Sequence, residues 1–315
     1  MSSKEKIIIG TRGSELALWQ STWVAKELQR LHPSLAIETV VIKTTGDKIL
    51  DSPLSKIGDK GLFTKEIENA LLDKTIDLAV HSLKDVPTIL ANGLTIGAIT
   101  EREDVRDVFI SHPKKKYRSL SAVPKNGSVA TGSLRRRCQL LSHRPDLHIV
   151  DIRGNLKTRR AKLEDSEWDG MLLAKAGVTR LGWSEIISEI LSPTLILPAV
   201  GQGALAVEIR SDDAFLISAV KPLNHPPTDQ ATSGERALLR FLEGGCQIPI
   251  GTYGRIDSGI FFLDAVVGSI DGKKIVRGTI SGAPKDSENL GVSLAQELLG
   301  NGADEILREI RMSGN

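Results

Sequence analysis

Only two cysteines stand in the 315-residue chain, and one of them, Cys246, occupies Gly244-Gly245-Cys246-Gln247-Ile248-Pro249-Ile250-Gly251. It follows a helical stretch, Gly234–Leu242, directly. The glycines clear space around the sulfur, and the proline stiffens the exit. A thiol displayed in this way can be a nucleophile or a covalent attachment point. A lone cysteine is also among the most often buried residue types, where it behaves as a small hydrophobe. The rest of the chain has to decide between the two.

Three segments place arginine where a strand would hand over to a helix. They are Thr11-Arg12-Gly13-Ser14, Thr131-Gly132-Ser133-Leu134-Arg135-Arg136-Arg137, and Asp151-Ile152-Arg153-Gly154-Asn155 with Lys157, Arg159 and Arg160 behind it. The first turn of a helix offers unbonded N–H groups and the positive end of its dipole, and guanidinium forks add planar recognition of carboxylate or phosphate. One basic cluster is usually a solvated face. Three at equivalent junctions of an α/β fold would meet at one sheet edge, where ligands bind, so the expected ligand carries several negative groups. A fourth segment, Val80-His81-Ser82-Leu83-Lys84-Asp85-Val86-Pro87, sets Ser82, Lys84 and Asp85 where a buried strand leaves its sheet. Asp before Val-Pro is a common turn former. It is also a carboxylate beside an ammonium, able to stabilise a cationic intermediate or shuttle a proton.

Other chemistries find no support. The chain has no phosphate-cradling loop, dinucleotide fingerprint, H-E-x-x-H or C-x-x-C, and its six histidines show no metal spacing, so no metal is expected. The His81-Ser82 pair alone makes no triad, because neighbours on a strand point to opposite faces. Forty-one Lys and Arg against 39 Asp and Glu leave a net charge of +2, and aromatics are 4%, which argues against nucleic acid as a partner. Two cysteines in a chain this long suggest a reducing compartment. No apolar run precedes Lys6-Ile7-Ile8-Ile9, and prolines and glycines break the uncharged stretch Ile190–Val207, so a cytoplasmic protein without membrane association is expected.

The elements that must position these residues alternate. Strands are expected at Lys6–Gly10, Ala36–Thr44, Ile76–Ser82 and Leu94–Ile99, with helices after Ser14 and over Phe63–Leu72. A second set follows near Asp107, with strands at Ser128–Thr131, Leu147–Ile152 and Met171–Ala174 and helices over Leu134–Ser142, Leu156–Glu164 and Ala176–Leu181. The rhythm implies parallel sheets flanked by helices. Gly46–Gly61 lacks periodicity and reads as a long loop, and Leu205–Ile209 returns to strand. Beyond a linker at Asn224-His225-Pro226-Pro227, a helix over Gln230–Leu242 leads into strands Ile248–Tyr253, Ile260–Ser269 and Lys274–Ser281, with a hairpin signal at Asp271-Gly272. A helix over Leu290–Gly300 and a charged tail close a small α+β region.

Taken in order, these segments resemble the porphobilinogen deaminase (hydroxymethylbilane synthase) family from end to end. The match also runs through Lys43-Thr44-Thr45-Gly46-Asp47, Lys60-Gly61-Leu62-Phe63-Thr64-Lys65-Glu66, Arg102-Glu103-Asp104-Val105-Arg106-Asp107, Leu173–Gly177, Pro198-Ala199-Val200-Gly201-Gln202-Gly203 and Gly245-Cys246. The resemblance implies two α/β domains like the halves of a periplasmic binding protein, with a cleft between them, plus a small α+β C-terminal domain. In this sequence these would be 1–103 with 203–221, then 104–202, then 222–315. It implies a monomeric, cytoplasmic transferase of tetrapyrrole and heme biosynthesis. Four porphobilinogen molecules would be condensed head to tail, with loss of ammonia, onto a dipyrromethane cofactor held by Cys246, and water would then release hydroxymethylbilane.

The same resemblance assigns roles. Asp85 matches the catalytic carboxylate, set to stabilise the azafulvenium-like cation left when ammonia departs and to help remove the proton from the attacked carbon. Arg12, Arg135, Arg136, Arg153, Arg159 and Arg180 match binders of the pyrrole acetates and propionates, supported by Ser14, Ser82, Lys84, Ser133 and Gln202. Gly46–Gly61 is expected to be a lid that keeps water from the cation, with Lys60 and Phe63 near the substrate. The departures are small: Asp59 stands where a second glycine is common, Leu83 where methionine is frequent, and Leu156 where valine is common. The rival is a non-enzymatic cytosolic binding protein for a small polycarboxylate. Such a module has no need of a reactive cysteine on a third domain.

Overall fold

The computed structural model describes residues 5–45, 64–242 and 248–313. Its strands, in chain order, are β1 (Lys6–Thr11), β2 (Ala36–Val41), β3 (Leu78–Ser82), β4 (Leu94–Ile99), β5 (Asp107–Ser111), β6 (Ser128–Ala130) and β7 (His148–Val150). They continue as β8 (Gly170–Ala174), β9 (Glu189–Ile190), β10 (Leu205–Arg210), β11 (Ile250–Asp257), β12 (Ile260–Gly268) and β13 (Ile275–Gly282). Among the described residues one compact unit takes in 5–45, 64–103 and 204–229, and the other takes in 104–203, 230–242 and 248–313.

The first unit is an α/β layer around a five-stranded sheet ordered β2-β1-β3-β10-β4. Ile7, Ile9, Leu78, Val207 and Ile209 are fully buried in it, so burial on both faces explains the near-continuous apolar runs of these strands. The helix Glu15–Leu31 covers one face through Val24 and Leu28. Its start is fixed by Ser14, whose side-chain oxygen accepts from the Ala17 N–H. The helix Lys65–Leu72 packs Ile67 and Leu71 against Ile76 and Ala79.

The second unit repeats the plan with the order β7-β6-β8-β5-β9. Here β6 runs parallel to β7 and β8, while β5 runs antiparallel to β8. The helices Leu134–His143 and Leu156–Glu164 follow β6 and β7, and the short helix Lys175–Arg180 follows β8 at once. The same unit holds an antiparallel sheet β11-β12-β13 backed by the helices Pro226–Phe241 and Ser287–Leu298, with Leu238, Phe261, Leu263 and Leu294 at its core. The hairpin signal at Asp271-Gly272 is seen as a turn in which Gly272 has φ +72°, and Asp304–Ser313 forms the closing helix.

Two details differ from the sequence reading. Neither large sheet is wholly parallel, because β10 lies reversed between β3 and β4, and β5 lies reversed between β8 and β9. A strand that returns from elsewhere in the chain need not obey the direction that a βαβ step imposes on its neighbours. The expected linker is also partly helix, for the segment Pro226–Phe241 starts on the two prolines. Proline lacks only an N–H that the first turn leaves unbonded, so it opens a helix readily. Among the described residues no helix is long and apolar enough to cross a membrane.

Candidate active site

In the second unit, parallel alignment of β6, β7 and β8 brings three strand ends to one edge of the sheet. Ser133 caps the helix Leu134–His143 by accepting from the Arg136 N–H, and Asn155 caps Leu156–Glu164 by accepting from the Thr158 N–H. Both caps free the first turn to carry arginines rather than acidic residues. Gly154 has φ +111°, a left-handed turn that aims its carbonyl at Arg159, whose Nε donates to it at 2.8 Å. Arg180, at the end of the Lys175–Arg180 helix, donates from Nη2 to the Gly203 carbonyl at 2.7 Å. Arg153 is half-buried; desolvation pulls its pKa down, and the carboxylate of Asp151 opposes that shift.

Arg135 and Arg136 are the most enclosed of these cations, each 5% exposed. Arg135 Nη1 donates to Asp107 Oδ2 at 2.7 Å and to the Leu197 carbonyl at 2.6 Å. Arg136 Nη2 donates to Asp107 Oδ1 at 2.8 Å, and its Nη1 donates to the Leu172 carbonyl at 3.1 Å. Asp107 itself is fully buried. Burial pulls its carboxyl upward, but the two guanidiniums outweigh that and hold it well below the usual carboxylate range. Gln202 completes the group by donating from Nε2 to Asp107 Oδ1 at 2.8 Å and to the Val105 carbonyl at 2.7 Å. The segment that carries Gln202 is fixed in turn by Glu235, which accepts from the Gly201 and Gly254 backbone N–H groups at 2.6 Å each.

The Nε atoms of Arg135, Arg136 and Arg137 are buried with no hydrogen-bond partner among the described residues. An orphaned guanidinium donor is costly, and three on consecutive residues at a helix start fit a ligand that brings its own carboxylates. That is the donor set a dipyrromethane with acetate and propionate arms would need.

The first unit holds Arg12, Ser14, Ser82, Lys84 and Asp85. Arg12 and Ser14 follow β1, Ser82 ends β3, and Lys84 and Asp85 follow it; the two strands are parallel, so their ends share an edge. Gln20 donates from Nε2 to the Ser82 hydroxyl at 2.9 Å, tying the helix Glu15–Leu31 to the end of β3. A single 3-10 turn, Leu83–Asp85, then anchors Leu83 in the core and leaves Lys84 half-buried and Asp85 exposed. Among the described residues no hydrogen bond or ion pair holds the Asp85 carboxylate.

Cys246, Lys60, Phe63 and the whole of the expected lid lie outside the described residues. The other cysteine, Cys138, is fully buried, and burial pushes its thiol up to about 12. It is a core side chain whose Sγ donates to the Arg135 carbonyl at 3.3 Å. Sequence reasoning gave Asp107 no role in the site. A signal was present, since an acid heading the buried run Val108-Phe109-Ile110 demands a cationic partner.

Comparison with known proteins finds relatives over nearly the whole chain. Residues 7–218 match the family model described as porphobilinogen deaminase, dipyromethane cofactor binding domain. Residues 230–300 match porphobilinogen deaminase, C-terminal domain. The porphobilinogen deaminase of Carboxydothermus hydrogenoformans is 52% identical over 312 residues, covering 99% of each chain. Those of Chlorobaculum tepidum and Chlorobium phaeovibrioides are each 55% identical, over 311 and 312 residues, covering 98% of this chain and 99% of theirs.

Proposed function

The chain belongs to the porphobilinogen deaminase family, and from that premise we propose that it joins four porphobilinogen molecules head to tail on a covalently held dipyrromethane, then releases hydroxymethylbilane. The observation that carries this reading is the buried guanidinium pair of Arg135 and Arg136, with Nε donors left over, at an edge where Arg153 and Arg159 also arrive. A binding module for any small anion needs one such cluster. A growing chain with two carboxylates on every ring needs several.

The dipyrromethane supplies the free pyrrole carbon to which the first substrate ring is joined. Cys246 is the attachment point on this reading, supported by the match of its Gly-Gly-Cys sequence to the family and by the exclusion of Cys138, whose thiol is buried and hard to ionise. Arg135 and Arg136 hold cofactor carboxylates through their remaining donors, with Ser133 fixing the helix start and Gln202 bracing Asp107. Arg12, Arg153, Arg159 and Arg180 receive the acetates and propionates of incoming and elongating rings, with Ser14, Ser82 and Lys84 shaping the edge of the first sheet.

Asp85 acts on the reacting substrate. Departure of ammonia from the aminomethyl carbon leaves positive charge delocalised into the pyrrole ring. An exposed carboxylate, held on a short turn over a buried leucine, can take the pyrrole N–H and lower that barrier electrostatically. The same oxygen can accept the proton expelled when the attacked carbon regains aromaticity. The protein acts as a monomer in the cytoplasm.

Incubation with porphobilinogen tests the whole reading. Ammonia and hydroxymethylbilane should appear together, one tetrapyrrole for every four ammonia molecules. Porphobilinogen bound without release of ammonia would instead identify a carboxylate-binding protein.

A further inference from the structure

Asp107 is the only acid paired with Arg135 or Arg136 among the described residues. Two buried guanidiniums therefore face one buried carboxylate, and the cluster keeps one positive charge in a place poorly solvated by water. An uncompensated buried charge is expensive, and a second anion is the natural remedy. The hydrogen bonds divide in the same way. Asp107 Oδ2 is taken by Arg135, and Oδ1 is shared by Arg136 and Gln202, so both oxygens of the acid are engaged. The arginines still have Nε donors to give. Asp107 is thus their anchor and not their final partner.

The fold shows how the anchor gets there. Because β5 runs against β8, its first residue lies opposite the last of β8, with Asp107 in register with Ala174. A parallel strand would have delivered its opposite end to this edge. Neighbouring carbonyls take the arginines' other Nη bonds, those of Leu172 on β8 and Leu197 just before the Pro198–Gly203 segment. Gln139 braces that segment from the helix, with Oε1 accepting from the Leu197 N–H at 2.8 Å and Nε2 donating to the Leu197 carbonyl at 3.1 Å.

We propose that Asp107 is the positioning residue for cofactor capture. It fixes the planes of both guanidiniums so that their unused donors converge on the carboxylates of the dipyrromethane, while Gln202 holds Asp107 in place. The proposal rests on the porphobilinogen deaminase reading given above.

The test follows covalent loading of the full-length apo chain during incubation with porphobilinogen, by intact mass, in wild type, Asp107→Asn, Asp107→Glu and Gln202→Met. Each is assayed at a temperature where circular dichroism shows it folded. Asp107→Asn should load on the order of thirtyfold more slowly, as expected when one partner of a buried charge pair is removed, with most of the change in half-saturation by porphobilinogen rather than in maximal rate. Asp107→Glu, which keeps the charge, should recover part of the loss. Gln202→Met leaves every charge in place and should load several-fold more slowly, with a melting temperature lowered by several degrees because the Val105 carbonyl loses its donor.

Folded Asp107→Asn loading like wild type would overturn the proposal. If Asp107→Asn does not fold, Gln202→Met decides, and wild-type rate and half-saturation in that variant would overturn it equally. A wild-type chain that never gains a dipyrrole removes the underlying functional reading too, an outcome distinct from a loaded wild type beside a normally loaded variant.

Discussion

The backbone of Gly132 lies so close to Ile152 that a Cβ built on the glycine would stand 2.5 Å from the Ile152 carbonyl oxygen. The contact joins the loop after β6 to the loop after β7, the two segments that launch the arginine-bearing helices. Their spacing is set by the absence of a side chain. Gly132→Ala must push the loops apart, since a backbone oxygen cannot rotate away. Overpacking of this kind costs about 1–3 kcal/mol, so the melting temperature should fall by several degrees. Cofactor loading should fall further than stability alone explains, because Arg135 and Arg136 move with the loop. Calorimetry beside intact mass checks both, and normal loading in the alanine variant would show that the contact does not set the arginines.

The two cysteines should behave as opposites. Cys138 is buried with its thiol pushed up to about 12, so at pH 8 it should resist aromatic disulfide reagents in the folded protein and react only on unfolding. Titration of the apo chain should therefore count one accessible thiol, and the loaded chain none. Two reactive thiols in the folded apo chain would contradict the burial of Cys138. Cys138→Ala should retain the cofactor at a modest loss of stability.

Asp85 should divide chemistry from stability cleanly. Its side chain is exposed and held by no partner among the described residues, so Asp85→Asn should leave the melting temperature within about a degree of wild type, as surface changes do. Turnover should drop by orders of magnitude, because a neutral amide cannot offset the positive charge of the reacting ring. A stopped assay for hydroxymethylbilane reads the result directly. Near-normal turnover would remove Asp85 from the mechanism.

Acid should destabilise the second unit through its depressed carboxylates. Hydrogen bonds from Arg106 hold Asp104 well below the usual range, with help from Lys175 at 2.8 Å, and the guanidinium pair does the same for Asp107. A folded-state pKa below the unfolded value of about 3.9 gives stability that is fully present above that pH and lost as pH falls beneath it. Urea midpoints should be flat between about pH 5 and 7 and should decline below about pH 4. Asp104→Asn should begin lower at neutral pH and lose less on acidification. An acid response identical to wild type would detach Asp104 from that decline.

Much of this site was legible in sequence, since its junctions are written in local chemistry. Ser14, Ser133 and Asn155 announce helix starts, and arginines just behind them announce an anion. Strand direction was not legible. The run Asp107–Ser111 has the same apolar character whether it lies parallel or reversed, and only the sheet shows that reversal brings Asp107 beneath two arginines. The start of the helix at Pro226 was hidden for a related reason, because paired prolines signal both a linker and a first turn. The assignments of Asp85 and Cys246 came from family resemblance. Local spacing allowed a turn former and a buried thiol equally well.

Intact mass of the purified chain tests the central claim most directly. Wild-type protein incubated with porphobilinogen should exceed its sequence mass by one dipyrromethane, and Cys246→Ala treated identically should stay at sequence mass with no hydroxymethylbilane formed. A Cys246→Ala chain that still carries the dipyrrole, or a wild type that turns over porphobilinogen without ever gaining mass, would contradict the account.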